Sequence, residues 1–408
     1  MIKQIKHLIN CNIMKNNFYY SRIISISALL FISLFVTKCS TQIKLNNQSG
    51  KIDISEFESG AHHWYDIKDK DKIIEPLENQ KKYLPYEYEN IADNILLYQK
   101  SNGGWAKNYD MLAVLTEEQK SKVIKSKSFY NTCFDNGATY SQLNYLAQVI
   151  ALTNNHKFKT AFVEGVKFVL SAQYPNGGWP QFFPDTSGYR KYITFNDGAM
   201  IGVMKLLQRI VNRESGYGLN DSDLYDKVLY TFNKGIDCIL NTQIKESDSL
   251  LVWCQQHNNI NLKPENARTF EPAAICNGES SAIVEFLMSL PNPNKKLVHS
   301  VQSAVNWFRS SRIYGIRVKT IPAPKTEYIY RTSDSDIIII ADKNSKPIWA
   351  RYYQLITHRP MFCNRDGKIV YSLEEVERER RIGYAWYVYD PQNVLDKYSA
   401  WFKKVNAN

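Results

Sequence analysis

Three tryptophans stand 74 residues apart, at positions 105, 179 and 253, and each closes a loop that follows a helix-like segment. Gln99-Lys100-Ser101-Asn102-Gly103-Gly104-Trp105 is echoed by Gln173-Tyr174-Pro175-Asn176-Gly177-Gly178-Trp179, and a worn third copy runs from Gln243 to Trp253. A fixed long period is the mark of stacked units, none of which can bury its apolar face alone. A second echo follows each tryptophan: Phe134-Asp135-Asn136-Gly137-Ala138-Thr139, then Phe195-Asn196-Asp197-Gly198-Ala199-Met200, with Phe270-Glu271-Pro272-Ala273 as the expected third. Each opens an apolar segment, at 141–152, 200–210 and 281–290. An Asx oxygen at a helix start accepts an orphan backbone N–H, and paired glycines permit positive φ and close backbone approach. The unit therefore reads helix, Gly-Gly-Trp loop, excursion, Asx cap, helix. Three such pairs between residues 80 and 310 suggest an α/α toroid with apolar core helices and its loops gathered at one end, although periodicity by itself delivers only a mostly α fold of repeated helix pairs. Residues 313–387, richer in Ile, Tyr, Val and Thr, are expected to add long loops and short β-strands.

The first forty residues read as an address. The apolar run Ile23–Val36 has 14 residues, short of the roughly 20 that a membrane-spanning helix needs. Lys15 and Arg22 precede it and Cys39 follows, which is the layout of a signal peptide, with Met14 as an alternative start. A cysteine at the exit resembles a bacterial lipobox, although Lys38 stands where a small residue is expected. Residues 1–39 are thus a leader, cleaved or lipidated at Cys39; residues 40–60 are a polar tether; and residues 61–400 are the functional domain. The protein is expected outside the bacterial cytoplasm, periplasmic or anchored at the outer surface, and monomeric. Seven cysteines at irregular spacing indicate neither a disulfide framework nor a zinc ribbon.

The 51 basic against 40 acidic residues give a formal charge of +11, which favours an anionic partner. Export and the lack of a recognised binding motif argue against nucleic acid. Phosphate-loop, dinucleotide, zincin and Gly-x-Ser-x-Gly signatures do not occur. A cap needs one Asx, yet each copy carries two; the spare carboxylates, Asp135 and Asp197, suit a hard cation such as Ca²⁺. Arg268 either pairs with Glu265 or Glu271 on a solvated loop or points into a ligand cleft. Arg351, Arg359 and Arg365 lie among Tyr352, Tyr353 and Phe362, an anion-binding wall in which planar guanidiniums meet carboxylates, with Lys107 as a fourth cation. Glu374–Arg381 is a charge run that reads as a solvated helical face.

Taken in order, His62-His63-Trp64-Tyr65-Asp66, Asn102–Trp105, Phe134–Thr139, Gln173–Pro180, Phe195–Met200, Ala267-Arg268 and Arg359-Pro360 resemble the family 10 polysaccharide lyases, pectate lyases that cleave polygalacturonate. The resemblance covers about residues 60–390 and implies an (α/α)₃ toroid, Ca²⁺ dependence and β-elimination. It implies Arg268 as the catalytic base, Asp135 and Asp197 as the acidic cleft and calcium residues, and Lys107, Arg351, Arg359, Arg365 and Asn136 as the residues that bind substrate. An arginine base implies an alkaline optimum, because a guanidinium is hard to deprotonate. Asn136 and Asn196 are amides where further carboxylates could serve, so the calcium shell is the least defined part. Two other classes share features: a non-catalytic surface lipoprotein that binds acidic glycans, and the triterpene cyclases, α/α toroids with Gln-Trp loops whose Asp-x-Asp-Asp run is absent here.

Overall fold

Helices buried over most of their surface alternate with helices buried along one side in the computed structural model, which describes residues 52–68 and 72–407. In chain order the helices are α1 (Glu58–Asp66), α2 (Tyr88–Tyr98), α3 (Glu117–Lys125), α4 (Tyr140–Thr153), α5 (His156–Ser171), α6 (Ala199–Val211), α7 (Ser222–Thr242), α8 (Asn277–Ser289), α9 (Lys295–Ser310), α10 (Arg378–Ile382) and α11 (Asp390–Asn406). Most side chains of α4, α6 and α8 are buried, whereas α5, α7 and α9 bury one stripe each. That difference sorts them into two layers: α4, α6 and α8 pack side by side between α2 and α11, and each is backed by the helix that follows it. The chain is therefore mainly α, built from three consecutive helix pairs.

The repeated loops explain why the pairs stack. Each tryptophan is fully buried, and its indole N–H donates to a carbonyl of the helix just left: Trp105 to Ile95 at 2.9 Å, Trp179 to Val169 at 2.9 Å, Trp253 to Ile239 at 2.7 Å. The glutamine that opens each loop donates twice. Gln99 reaches the carbonyls of Gly103 and Ala161, Gln173 those of Gly177 and Thr231, and Gln243 those of Leu251 and Ser300. One amide thus ties its own loop to the next outer helix, satisfying carbonyls that burial would otherwise leave unpaired. Gly103 and Gly177 sit at φ +91° and +92°, pressed against the backbone of α5 and α7. In the third copy a short hairpin, Lys245–Glu246 with Ser249–Leu250, replaces the Asn-Gly-Gly turn.

The second echo folds differently from its reading as a cap. Asp135–Gly137 and Asn196–Gly198 are single 3₁₀ turns, and no Asx side chain caps α4 or α6. The third junction is at Cys276–Ser280 rather than Phe270–Ala273. There Cys276 donates to the Trp253 carbonyl and the Ser280 hydroxyl accepts the Trp253 N–H, as Cys133 and Thr139 do for Trp105. The third copy has lost its 3₁₀ turn, which is why its sequence does not match.

Residues 313–387 form more than short strands. A long antiparallel hairpin joins Ile316–Glu327 to Thr332–Ala341, with a register shift between Pro322 and Thr326 where proline cannot donate to the ladder. A four-stranded sheet in the order Ile369–Val370, Pro360–Cys363, Tyr352–Tyr353, Ile275–Cys276 carries Arg351 to the start of α8. The acidic-basic run at 374–381 is not a solvated face: Arg381 makes a two-pronged pair with Asp336 (2.8 and 2.7 Å), and Arg378 donates to the Pro324 and Ser335 carbonyls, clamping the hairpin. Ile52 and Phe57 are each 4% exposed, so the folded body begins before residue 61. The expected leader, the expected lipidation at Cys39 and residues 40–51 of the expected tether lie outside the described residues. Cys133, Cys238, Cys254, Cys276 and Cys363 are buried free thiols, and among the described residues no helix is long and apolar enough to cross a membrane.

A Cβ added at Gly177 would lie 2.0 Å from the Lys234 carbonyl oxygen at a φ that side chains resist, whereas one at Gly218 would meet nothing within 4 Å. Gly177→Ala is expected to cost at least about 2 kcal/mol in a denaturant melt, and Gly218→Ala to leave the midpoint unchanged.

Candidate functional site

Because Asp135–Gly137 and Asn196–Gly198 are neighbouring turns on neighbouring helices, their side chains meet at one end of the α4–α6–α8 layer, and the first turn of α8 joins them. Asp135 is buried, and its Oδ2 accepts from Lys107 Nζ at 2.5 Å. Burial works to raise the Asp135 carboxyl, but Lys107 beside it outweighs burial and holds it below the usual carboxylate range. The same pair holds the Lys107 ammonium above its ordinary value against burial. Asp197, its backbone at φ 50°, is open to solvent yet walled in by protein, and accepts from the Asn196 amide at 2.8 Å. That crowding, and then Asp135 nearby, push the Asp197 carboxyl up to about 7 against the pull of Arg351 and Arg268.

Two arginines, Arg268 and Arg351, face this acid pair and a third, Arg365, lies beyond Phe270, each already holding a glutamate. Arg268 donates from Nε and Nη2 to the buried Glu271, at 2.8 and 2.5 Å. Burial works to lower the Arg268 guanidinium, but these bonds outweigh it and hold it above the ordinary arginine value. Arg351 donates to Glu279 Oε1 at 2.5 Å and to the Asn196 side-chain oxygen at 3.1 Å, and its guanidinium stacks 4.3 Å from the Tyr384 ring centroid. Burial opposes its charge, and Glu279 restores it. Arg365 makes a forked pair with Glu379, Nε to Oε2 at 2.9 Å and Nη2 to Oε1 at 2.7 Å. The Phe270 ring lies between guanidiniums, 4.8 Å from Arg268, 5.3 Å from Arg365 and 4.1 Å from Arg380. Under the cluster the Gln255 amide donates to Asn196, Glu279 and Tyr384 and accepts from Tyr352.

Six of the expected residues thus come together: Lys107, Asp135, Asp197, Arg268, Arg351 and, one ring further out, Arg365. Of the two partners open to Arg268, the structure has Glu271. Asn136 turns aside, donating to Asn108 at 3.1 Å in a small cavity also lined by Glu56 and Lys107. Arg359 stands apart: it is exposed and stacks 3.6 Å from the Tyr371 ring centroid, with no hydrogen bond or ion pair to the other candidates among the described residues. The sequence reading missed Gln255, Glu279, Glu379 and Tyr384. A glutamate in the first turn of a helix that opens a repeat was the one signal available, for Glu279.

The donor set can be asked whether it suits Ca²⁺. Among the described residues no group of three or more His, Cys, Asp and Glu could hold a metal by itself. Asp197 is an accessible carboxylate with no cation bonded to it, and Glu279 Oε2 is buried without a hydrogen bond. Oxygen donors of this kind suit Ca²⁺, which takes six to eight oxygens, provided that further oxygens come from outside the protein.

The family model described as pectic acid lyase matches residues 99–395. Among solved structures, the family 10 polysaccharide lyase from Cellvibrio cellulosa is similar at 28% identity, covering 75% of this chain and 90% of that one, with a TM-score of 0.63. An aspartate-to-alanine mutant of that family 10 lyase, solved in complex with trigalacturonic acid, matches to the same extent. No curated protein matches the chain.

Near the cluster, His257 is fully buried, its Nδ1 bonded to the Leu262 carbonyl at 2.9 Å and its Nε2 accepting the Cys254 N–H at 3.1 Å. Burial pushes it down to about 4. Between there and its unfolded value near 6.5 the unfolded chain binds more protons, so stability is present above that window and is lost as pH falls through it. A melt series is expected to show a slope of up to about 1.4 kcal/mol per pH unit there, absent in His257→Gln.

Proposed function

The chain belongs to the pectic acid lyase family and is a polysaccharide lyase, and on that premise we propose that it cleaves α-1,4-linked polygalacturonate by Ca²⁺-assisted β-elimination, its helix pairs closing as an (α/α)₃ toroid. The observation that carries this reading is the meeting of Asp135 and Asp197 with Lys107, Arg268 and Arg351 at one end of the helix layer. An elimination removes the C5 proton beside a carboxylate while the C4 oxygen leaves, so negative charge grows on that carboxylate and must be met by fixed positive charge. Asp135 and Asp197 would hold Ca²⁺, which supplies that neutralisation together with the guanidiniums. Arg351 and Arg365 receive galacturonate carboxylates, and Lys107 keeps Asp135 ionised and placed.

Arg268 is the proposed base at C5. Its pair with Glu271 keeps the proton on the guanidinium, so the rate is expected to climb on the alkaline side, where that proton can leave. A sharp optimum below neutrality contradicts the assignment. Arg268→Ala is expected to lower kcat by at least about 100-fold at a temperature where the variant is folded, its melting midpoint falling because the buried Glu271 loses its partner. Export through the 1–39 leader belongs to the same reading, since a polymeric substrate is met outside the cell.

The direct test follows ultraviolet absorbance of residues 40–408 with polygalacturonate, with Ca²⁺ and then with chelator. A Ca²⁺-dependent rise marks the unsaturated uronide of elimination. A flat trace with the polymer still bound points instead to a non-catalytic glycan-binding protein.

A further inference from the structure

The long hairpin ends beside the arginine cluster, and nothing in the proposed chemistry uses it. Its two strands are gripped by Arg378 and Arg381 on one side of α10. The intervening residues of that helix serve the cluster: Glu379 holds Arg365, and Arg380 stacks against Phe270. The hairpin is thereby fixed to the same short helix that fixes the cationic wall. Its tip is a tight turn, Tyr328 N–H to the Arg331 carbonyl at 2.7 Å. There Tyr330 lies 4.7 Å from the Arg365 guanidinium, which has Phe270 as its other ring contact. Arg331 packs over Gly383, next to Tyr384, and comes no closer than 4.0 Å to Glu379, and its buried Nε makes no hydrogen bond.

These residues make little sense as packing. Tyr330 is 43% exposed and Ile329 beside it is 75% exposed, and the ring contact of Tyr330 is with a cation rather than with the core. Arg365 already makes a forked pair with Glu379, whereas Arg331, its side chain 28% exposed, reaches Glu379 only at 4.0 Å and makes no side-chain hydrogen bond among the described residues. An exposed aromatic face next to an under-used guanidinium fits a sugar ring that bears a carboxylate: the ring's C–H face stacks on the aromatic and the carboxylate takes the guanidinium.

We propose that the hairpin tip, through Tyr330 and Arg331, is a binding subsite for a galacturonate unit of the bound chain beyond the unit that reacts. The inference rests on the polygalacturonate reading. It makes the hairpin a determinant of preference for longer chains, acting on binding rather than on the chemical step.

The test compares wild type with Tyr330→Ala, Arg331→Ala and Tyr330→Phe, at positions where no core packing is lost. Calorimetric binding of hexagalacturonate and of trigalacturonate is measured without Ca²⁺, so that turnover does not intervene, and kcat and KM are then measured with Ca²⁺. Tyr330→Ala and Arg331→Ala are each expected to weaken hexagalacturonate binding about fivefold, to change trigalacturonate binding less, and to raise KM on the polymer with kcat unchanged; Tyr330→Phe keeps wild-type values. Equal binding of hexagalacturonate by Tyr330→Ala and wild type overturns the proposal, as does a loss confined to kcat. Wild type that binds hexagalacturonate without producing absorbance defeats the lyase reading while the subsite is still decided by the variants. Wild type that binds no oligogalacturonate either with or without Ca²⁺ defeats both.

Discussion

One glutamine per repeat carries the architecture. Gln99, Gln173 and Gln243 each bond to a carbonyl of their own loop and to one on the outer helix of the next pair. A buried carbonyl left without a donor costs free energy comparable to a lost hydrogen bond, so each amide fixes both the loop and the distance between successive pairs. The indole N–H of the following tryptophan fastens the loop to the helix before it. With both ends fixed, the chain leaves each loop at the same end of the layer, and the 3₁₀ turns holding Asp135 and Asp197 have nowhere to go but beside each other.

That placement brings like charges together, and the rest of the site answers them. Lys107 takes Asp135, Arg351 takes Glu279, Arg268 takes Glu271 and Arg365 takes Glu379. The cations of the site are therefore not displayed as a row of idle charges: Lys107, Arg268, Arg351 and Arg365 are each held in a defined orientation by a carboxylate. Holding such pairs out of water has a desolvation cost that their attraction only partly repays. Their use is orientation: guanidiniums already in place need no rearrangement when charge develops on a substrate. Asp197 is different. Its carboxylate accepts only from a neutral amide among the described residues, and burial and Asp135 displace it toward neutrality.

The parts legible in the sequence were those set by local chemistry. The spacing of Trp105, Trp179 and Trp253 disclosed the repeat, and the paired glycines disclosed the tight turns. Doubled Asx residues identified Asp135 and Asp197, although neither caps a helix: both belong to turns that precede the helix. The third junction at Cys276–Ser280 escaped because it keeps the hydrogen bonds of the motif and not its residues. The glutamate partners escaped for a geometric reason. Glu279 and Arg351 are 72 positions apart and are joined only through a sheet whose register the sequence does not announce. Arg359 matched the pattern of its neighbours yet its guanidinium stacks on Tyr371 with no bond to the cluster among the described residues, since nearness in sequence does not fix which group a long side chain joins. The run at 374–381 looked solvated because its charges alternate, but its partners are on the hairpin and in the cleft.

The proposed function carries one claim that can be measured by itself: Asp135 and Asp197 hold Ca²⁺ together with oxygens of the bound oligosaccharide. Calorimetric titration of Ca²⁺ into an Arg268→Ala variant, with and without trigalacturonate, measures this directly. The claim predicts weak binding of Ca²⁺ to the protein by itself and at least about tenfold tighter binding with the oligosaccharide present, a coupling of about 1.4 kcal/mol. Tight Ca²⁺ binding without the sugar, or the same affinity in both titrations, would contradict it.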